Sequence, residues 1–201
     1  MKNIPAPIYL IRHGETEWNR AKRVQGWNDS PLTGTGREQA RMVAAILARE
    51  IADAAAAVLY CSPLGRARAT AEIIAHELAL DFAQVRFDDK LMELNTGQWD
   101  GLTFAEIAAA FPDDLNHFRE DSWRHRPTGG ESYAMLSGRI GDWLAALDQP
   151  GPVIVVSHGI AGQVFRGAYL GLGEAQTVSL EQPQDVVFEL AGGRVTELTD
   201  Y

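Results

Sequence analysis

Arg12 and His13 follow without a spacer on the apolar run 8–11, and Gly14 and Glu15 complete the stretch. A histidine just past the end of a strand is held by rigid backbone, and the glycine lets the chain turn away so that the imidazole projects into a crevice. Three later places carry matching chemistry. Arg66 stands in SPLGRARATA (62–71), where a guanidinium can grip an oxyanion with two parallel hydrogen bonds. Glu93 stands in MELNTGQWDG (92–101), a carboxylate able to move protons, with Asp88, Asp89 and Asp100 as neighbouring competitors for that task. His158 lies between the apolar run 153–156 and Gly159, which makes it a site residue rather than a core histidine.

The elements that must position these side chains alternate. Residues 8–11, 57–61 and 153–156 read as buried strands, the last as central because its residues are continuously apolar and mostly β-branched. Helical spacing is found over 35–52, from 63 to about 78, over 132–147 with Leu136, Ile140, Trp143, Leu144 and Leu147 on one face, and from 159 to about 170. Ser62 and Pro63 read as the cap and first turn of the second helix, whose free N–H groups would face an anion. Residues 82–94 read as a strand with flanking loop, 103–121 as two short helices broken at Pro112, and 124–130 as a loop. Two strands, 186–190 and 194–198, close the chain around Gly192-Gly193. Such alternation predicts an α/β fold with a mainly parallel central β-sheet flanked by helices, in which ligands bind beyond the carboxyl ends of the strands. Arg12-His13, Ser62 leading to Arg66, and Ser157-His158-Gly159 all fall at such ends.

With 201 residues, 46% of them hydrophobic and 22% charged, the chain is expected to form one domain, 1–201. No stretch approaches the length of a membrane span or a secretory leader, and the single cysteine, Cys61, fits a core position in a reducing compartment. A cytoplasmic protein is expected. The net charge of -9 argues against binding to nucleic acid or an anionic membrane, so an anionic ligand must meet a local cluster of cations. His13 and His158 have no short-range partner at metal-ligand spacing, and no metal or cofactor is expected. The oligomeric state stays open, a homodimer included.

RHGETEWN (12–19) resembles the signature of the histidine phosphatase superfamily, the phosphoglycerate mutase-like proteins. QGWNDSPLTGTGREQA (25–40), SPLGRARATA, MELNTGQWDG and VVSHG (155–159) resemble that family's later segments, in the same order. The resemblance implies a three-layer sandwich and assigns roles. His13 would be the nucleophile that forms a phosphohistidine. Arg12 and Arg66 would clamp the phosphoryl oxygens, and Glu93 would serve as general acid and then base, which calls for burial or like charge around it. His158, positively charged, would share in neutralising the phosphoryl group. Asn19, Gln25, Gly26 and the Gly159-Ile160 backbone match positions that line the substrate pocket.

Thr96 stands three residues beyond Glu93, where the bisphosphoglycerate-dependent mutases of the family carry tyrosine, and 97–121 lacks their basic cluster. The resemblance therefore points to a phosphomonoester hydrolase acting on a small phosphorylated metabolite. The alternatives are a bisphosphoglycerate-dependent phosphoglycerate mutase and a non-catalytic phospho-ligand or partner-binding module. Arg124 and Arg126, in the loop SWRHRPTGGES (122–132), could form a lid over a second anionic group of the substrate, or a solvated loop balanced by Glu120 and Asp121.

Overall fold

The computed structural model describes residues 6–200. Residues 1–5, part of the N-terminal stretch read above as too short for a leader, lie outside the described residues. In chain order the elements are β1 (Ile8–Arg12), α1 (Glu17–Arg20), α2 (Gly34–Glu50), β2 (Val58–Cys61), α3 (Gly65–Glu77), β3 (Arg86–Phe87), α4 (Phe104–Ala110), α5 (Pro112–Glu120), α6 (Tyr133–Ala146), β4 (Val153–Ser157), α7 (Gly159–Leu170), α8 (Glu174–Val178), β5 (Val187–Ala191) and β6 (Arg194–Leu198). They build a six-stranded sheet of order β3-β2-β4-β1-β5-β6. β1, β2, β3 and β4 run parallel, and the closing hairpin β5–β6 joins antiparallel to β1.

Strands that are apolar at every position belong in a sheet covered on both faces, and alternation of side chains divides them. Ile8 and Leu10 of β1, with Val153 and Val155 of β4, pack with Leu136, Ile140 and Trp143 of α6 and Val164 and Phe165 of α7. Tyr9, Ile11, Ile154 and Val156 face the other way, onto Val43 and Leu47 of α2 and Ala71 and Ile74 of α3. The result is the expected three layers. The α6 face anticipated from spacing, Leu136 to Leu147, is buried throughout. A third, smaller cluster of Trp99, Ile107 and Leu115, with Phe111 and Phe118, holds α4 and α5 together away from the sheet.

Three local expectations need correction. The strand anticipated within 82–94 shrinks to two exposed residues, because Asp81 and Asp88 accept hydrogen bonds from Ala83 N and Lys90 N and bend the chain into 3-10 turns on either side. Helix α3 starts later than expected: the chain is extended through Leu64, which caps the helix without a side-chain bond, so Ser62 is free for another task. Helices α1 and α8 were not anticipated from sequence. Gly14, too, is needed for a different reason. A Cβ there would lie 2.1 Å from Gly36 O, and one on Gly36 would lie 2.1 Å from Glu15 O, so two glycines let the start of α2 press against the backbone that follows His13.

Candidate active site

The sheet register brings the histidines together. Arg12 pairs with Ser157 across β1 and β4, and His13 N donates to Ser157 O at 3.0 Å. The two strand ends thus deliver His13 and His158 side by side, edge to face with ring centroids 5.2 Å apart. Both are buried.

His13 Nδ1 faces Gly14 O at 2.8 Å, and Arg66 Nε donates to His13 Nε2 at 3.2 Å. A carbonyl can only accept, so Nδ1 carries the hydrogen and Nε2 the lone pair. Burial first, then the charges of Arg66 and Arg12, lowers this imidazole well below the ordinary histidine range and keeps it neutral.

Arg66 is buried and held on every side. Its Nη1 donates to Asn28 O at 2.6 Å and Asp29 Oδ1 at 3.0 Å, and its Nη2 to Gly26 O at 2.8 Å. Asp29 also accepts Gly65 N at 2.6 Å and Arg66 N at 3.2 Å. The first N–H groups of α3, expected to face an anionic ligand, are therefore given to Asp29. Gly26 combines a positive φ of 49° with a close approach to Asp100, and no side chain fits there.

Arg12 donates from Nη1 to Gln182 O, while its Nε is buried without a partner. His158 Nε2 lies 2.7 Å from Ser62 Oγ, which also accepts Leu64 N at 3.3 Å; Nδ1 has no partner. Burial, then Arg66, His13, Arg12 and Arg139, depresses the His158 imidazole well below the ordinary range. Burial and the three arginine charges thus oppose the positive charge expected on it.

Glu93 sits at the start of α7. Its Oε1 accepts Leu94 N and Ala161 N, both at 2.9 Å, and its Oε2 accepts Ile160 N at 3.2 Å. Its carbonyl is pinned by Trp27 Nε1 and Arg139 Nη2, each at 2.8 Å. Its charged neighbours include Arg12 and Arg66.

Arg12, His13, Asn19, Gln25, Gly26, Arg66, Glu93 and Ile160 share the wall of one cavity of about 350 Å³. His158 and Gly159 are not on this wall but adjoin Arg12 and Gln182, which are. At Gly159 a Cβ would come within 2.3 Å of Gln182 Oε1, so that backbone is tightly covered. Arg124 and Arg126 are not on this wall: Arg124 pairs with Asp121 and Glu174, and Arg126 Nε donates to Gly130 O at 2.6 Å. His125, between them, does line the cavity. Arg68 lies over the Phe87 ring, a structural role, and Cys61 is buried in the core.

Sequence reasoning missed Asp29, which anchors Arg66, and Gln184, whose Nε2 donates to His13 O and Asn19 Oδ1, both at 3.1 Å. Asp29 lies within the segment 25–40, but nothing in its local spacing ties it to Arg66, and Gln184 lies outside every segment that resembles the family's. Among the described residues, no three His, Cys, Asp or Glu side chains converge as a metal site, and no helix is long and apolar enough to cross a membrane.

A sheet of this order with two histidines and two arginines at its strand ends defines a class, and residues 8–195 match the histidine phosphatase superfamily (branch 1). The chain belongs to that superfamily. It is 33% identical over 168 residues to phosphoserine phosphatase 1 of Hydrogenobacter thermophilus, covering 82% of this chain and 76% of the relative. It is 38% identical over 177 residues to the probable phosphoglycerate mutase GpmB of Escherichia coli, covering 82% and 75%. Among solved structures, the mycobacterial glucosyl-3-phosphoglycerate phosphatase complexed with VO3 superposes with a TM-score of 0.76 at 30% identity, covering 96% of both chains.

Proposed function

We propose that the protein is a phosphomonoester hydrolase working through a phosphohistidine on His13. The observation that carries this is the locked tautomer: Nδ1–H is tied to Gly14 O, so the lone pair on Nε2 is the nitrogen beside Arg66. In the first step Nε2 bonds to phosphorus, the ester P–O bond breaks, and Glu93 gives its proton to the departing alkoxide. In the second, water attacks phosphorus, Glu93 takes back a proton, and the N–P bond breaks to restore His13 and release phosphate. Arg66 turns its Nε from His13 to a phosphoryl oxygen, and the unpartnered Arg12 Nε and His158 Nδ1 supply two more donors. For the latter, Ser62 Oγ–H donates to His158 Nε2, leaving the ring hydrogen on Nδ1. The phosphoryl dianion brings negative charge beside Glu93.

Thr96 favours hydrolase over mutase. Its hydroxyl is committed to Asp100, and it stands where mutases of the family carry tyrosine. Incubation with a panel of phosphomonoesters, with 3-phosphoglycerate plus bisphosphoglycerate included, tests the proposal. Release of inorganic phosphate, with acid-labile phosphate trapped on wild type and not on His13→Ala, is the expected result. Isomerised phosphoglycerate without net phosphate release would refute it.

A further inference from the structure

The cavity has two chemically different ends. One is the phosphoryl site of Arg12, His13 and Arg66; the other is walled by Val24, Trp99, Phe104, Phe118 and Tyr133, with His125 stacked on Trp99 at 6.2 Å and an interplanar angle of 23°. At about 350 Å³ the space exceeds what a phosphoryl group needs and suits a small organic ligand. The charged side chains near the aromatic end are already engaged. Arg23 donates to Glu106 at 2.8 Å and to Gly101 O at 2.7 Å. Glu131 accepts Arg139 at 2.9 and 3.0 Å and Asn95 N at 3.0 Å. His125 Nε2 lies 2.9 Å from Asp114 Oδ1, within ion-pair distance but without the geometry of a hydrogen bond. That leaves Lys22 as the lining cation for which no ion pair is found among the described residues. The wall therefore offers no matched anion and cation for an amino-acid head group, and among its rings Trp99 Nε1 is a buried donor without a hydrogen-bond partner. It offers ring faces and edges. Phe104, on the first turn of α4, is 56% exposed although it is apolar, and burying it against a ligand would remove that surface from water.

We infer that the substrate's alcohol portion carries a planar apolar ring, which packs against the Phe104, Phe118 and Trp99 wall while the phosphoryl group meets His13. This rests on the hydrolase proposal above. A ring that buries most of its surface there should gain about 30-fold in kcat/KM over an alcohol of similar reactivity without one.

The test compares 2-phenylethyl phosphate with glycerol 1-phosphate and O-phosphoserine, all alkyl esters, so that an easily displaced phenol does not decide the outcome. Wild type should favour 2-phenylethyl phosphate by about 30-fold in kcat/KM. Phe104→Ala, at an exposed position where folding is little affected, should cut that ratio about fivefold. A wild-type ratio under tenfold, or a ratio that Phe104→Ala leaves unmoved, overturns the inference while phosphate release still supports the hydrolase. Release of phosphate from none of the esters overturns both.

Discussion

Arg66 Nε stands 3.2 Å from His13 Nε2 and donates to it, so the guanidinium proposed to grip phosphate and the imidazole proposed to attack it hold each other. The contact fixes Nε2 as the unprotonated nitrogen, and it adds positive charge that opposes protonation of the ring. In the proposed reaction a phosphoryl group separates the pair, and Arg66 Nε exchanges a neutral acceptor for a charged one.

Acid should therefore destabilise the fold through its histidines. His13 and His158 are both depressed in the folded state, chiefly by burial. Below the unfolded histidine value of about 6.5 the unfolded chain binds more protons than the folded one, so stability falls as pH drops from there toward the folded values, and above it neither residue contributes. Each contributes a slope of up to about 1.4 kcal/mol per pH unit. Urea unfolding at pH 7.5, 6.5, 5.5 and 5.0 should show this, with a shallower slope in His13→Gln and in His158→Gln. Identical slopes in wild type and both variants would count against the burial of neutral rings.

Asp29 holds Arg66 and is not on the cavity wall. It receives Arg66 Nη1 and two backbone N–H groups of α3, yet its own side chain is 40% exposed. Asp29→Asn should keep the fold and lower kcat/KM roughly tenfold, the equivalent of about 1.4 kcal/mol of lost positioning. Restoring part of the loss with Asp29→Glu would separate positioning from a general structural defect. Unchanged kcat/KM in Asp29→Asn would show that Gly26 O and Asn28 O suffice to hold the guanidinium.

That residue also shows where the sequence stops being informative. His13, His158 and the helix opening at Gly159 were legible because apolar β-branched runs mark strand ends, and a polar group at such an end has nowhere to go but the crevice. Asp29 lies 37 residues from Arg66, and only tertiary packing unites them. Ser62 read as a helix cap because serine before proline is a strong local signal, but tertiary packing put Asp29 at that helix and left the serine for His158. The two-residue β3 fell to aspartate turns that compete locally with the ladder. The aromatic end of the cavity is built from α4, α5 and the loops around them, whose approach to the strand ends no periodicity encodes.

Two glycines in α2 should respond oppositely to alanine. At Gly36 a new Cβ would meet Glu15 O at 2.1 Å, and because backbone faces it, the segment behind His13 must shift. Gly36→Ala should cost about 1–3 kcal/mol of stability, as overpacking does, and lower kcat/KM as well. Gly34, at the start of the same helix, has nothing within 4 Å of its would-be Cβ and no positive φ. Gly34→Ala should be neutral or stabilising by up to about 1 kcal/mol. Denaturant melts of the two variants, read beside their kinetics, check the contrast; equal effects would mean that the α2 start does not brace the nucleophile.

Glu93 should reveal its two tasks through the leaving group. An alkyl alkoxide needs a proton as it departs, whereas 4-nitrophenolate does not, so only the first depends on Glu93 as acid; both depend on it as base when water attacks the phosphohistidine. Glu93→Gln should slow alkyl ester turnover about 10²–10⁴-fold. With 4-nitrophenyl phosphate the same variant should still release a fast, stoichiometric burst of nitrophenolate, followed by slow turnover while phosphohistidine accumulates. The substitution also sets an amide N–H₂ where the α7 and Leu94 N–H groups expect an acceptor, so a thermal melt should accompany the kinetics, with a loss of about 1–3 kcal/mol expected from the mismatch. If the burst with 4-nitrophenyl phosphate slows as much as the alkyl reaction does, the acid is some other group on the cavity wall and Glu93 serves only to anchor the start of α7.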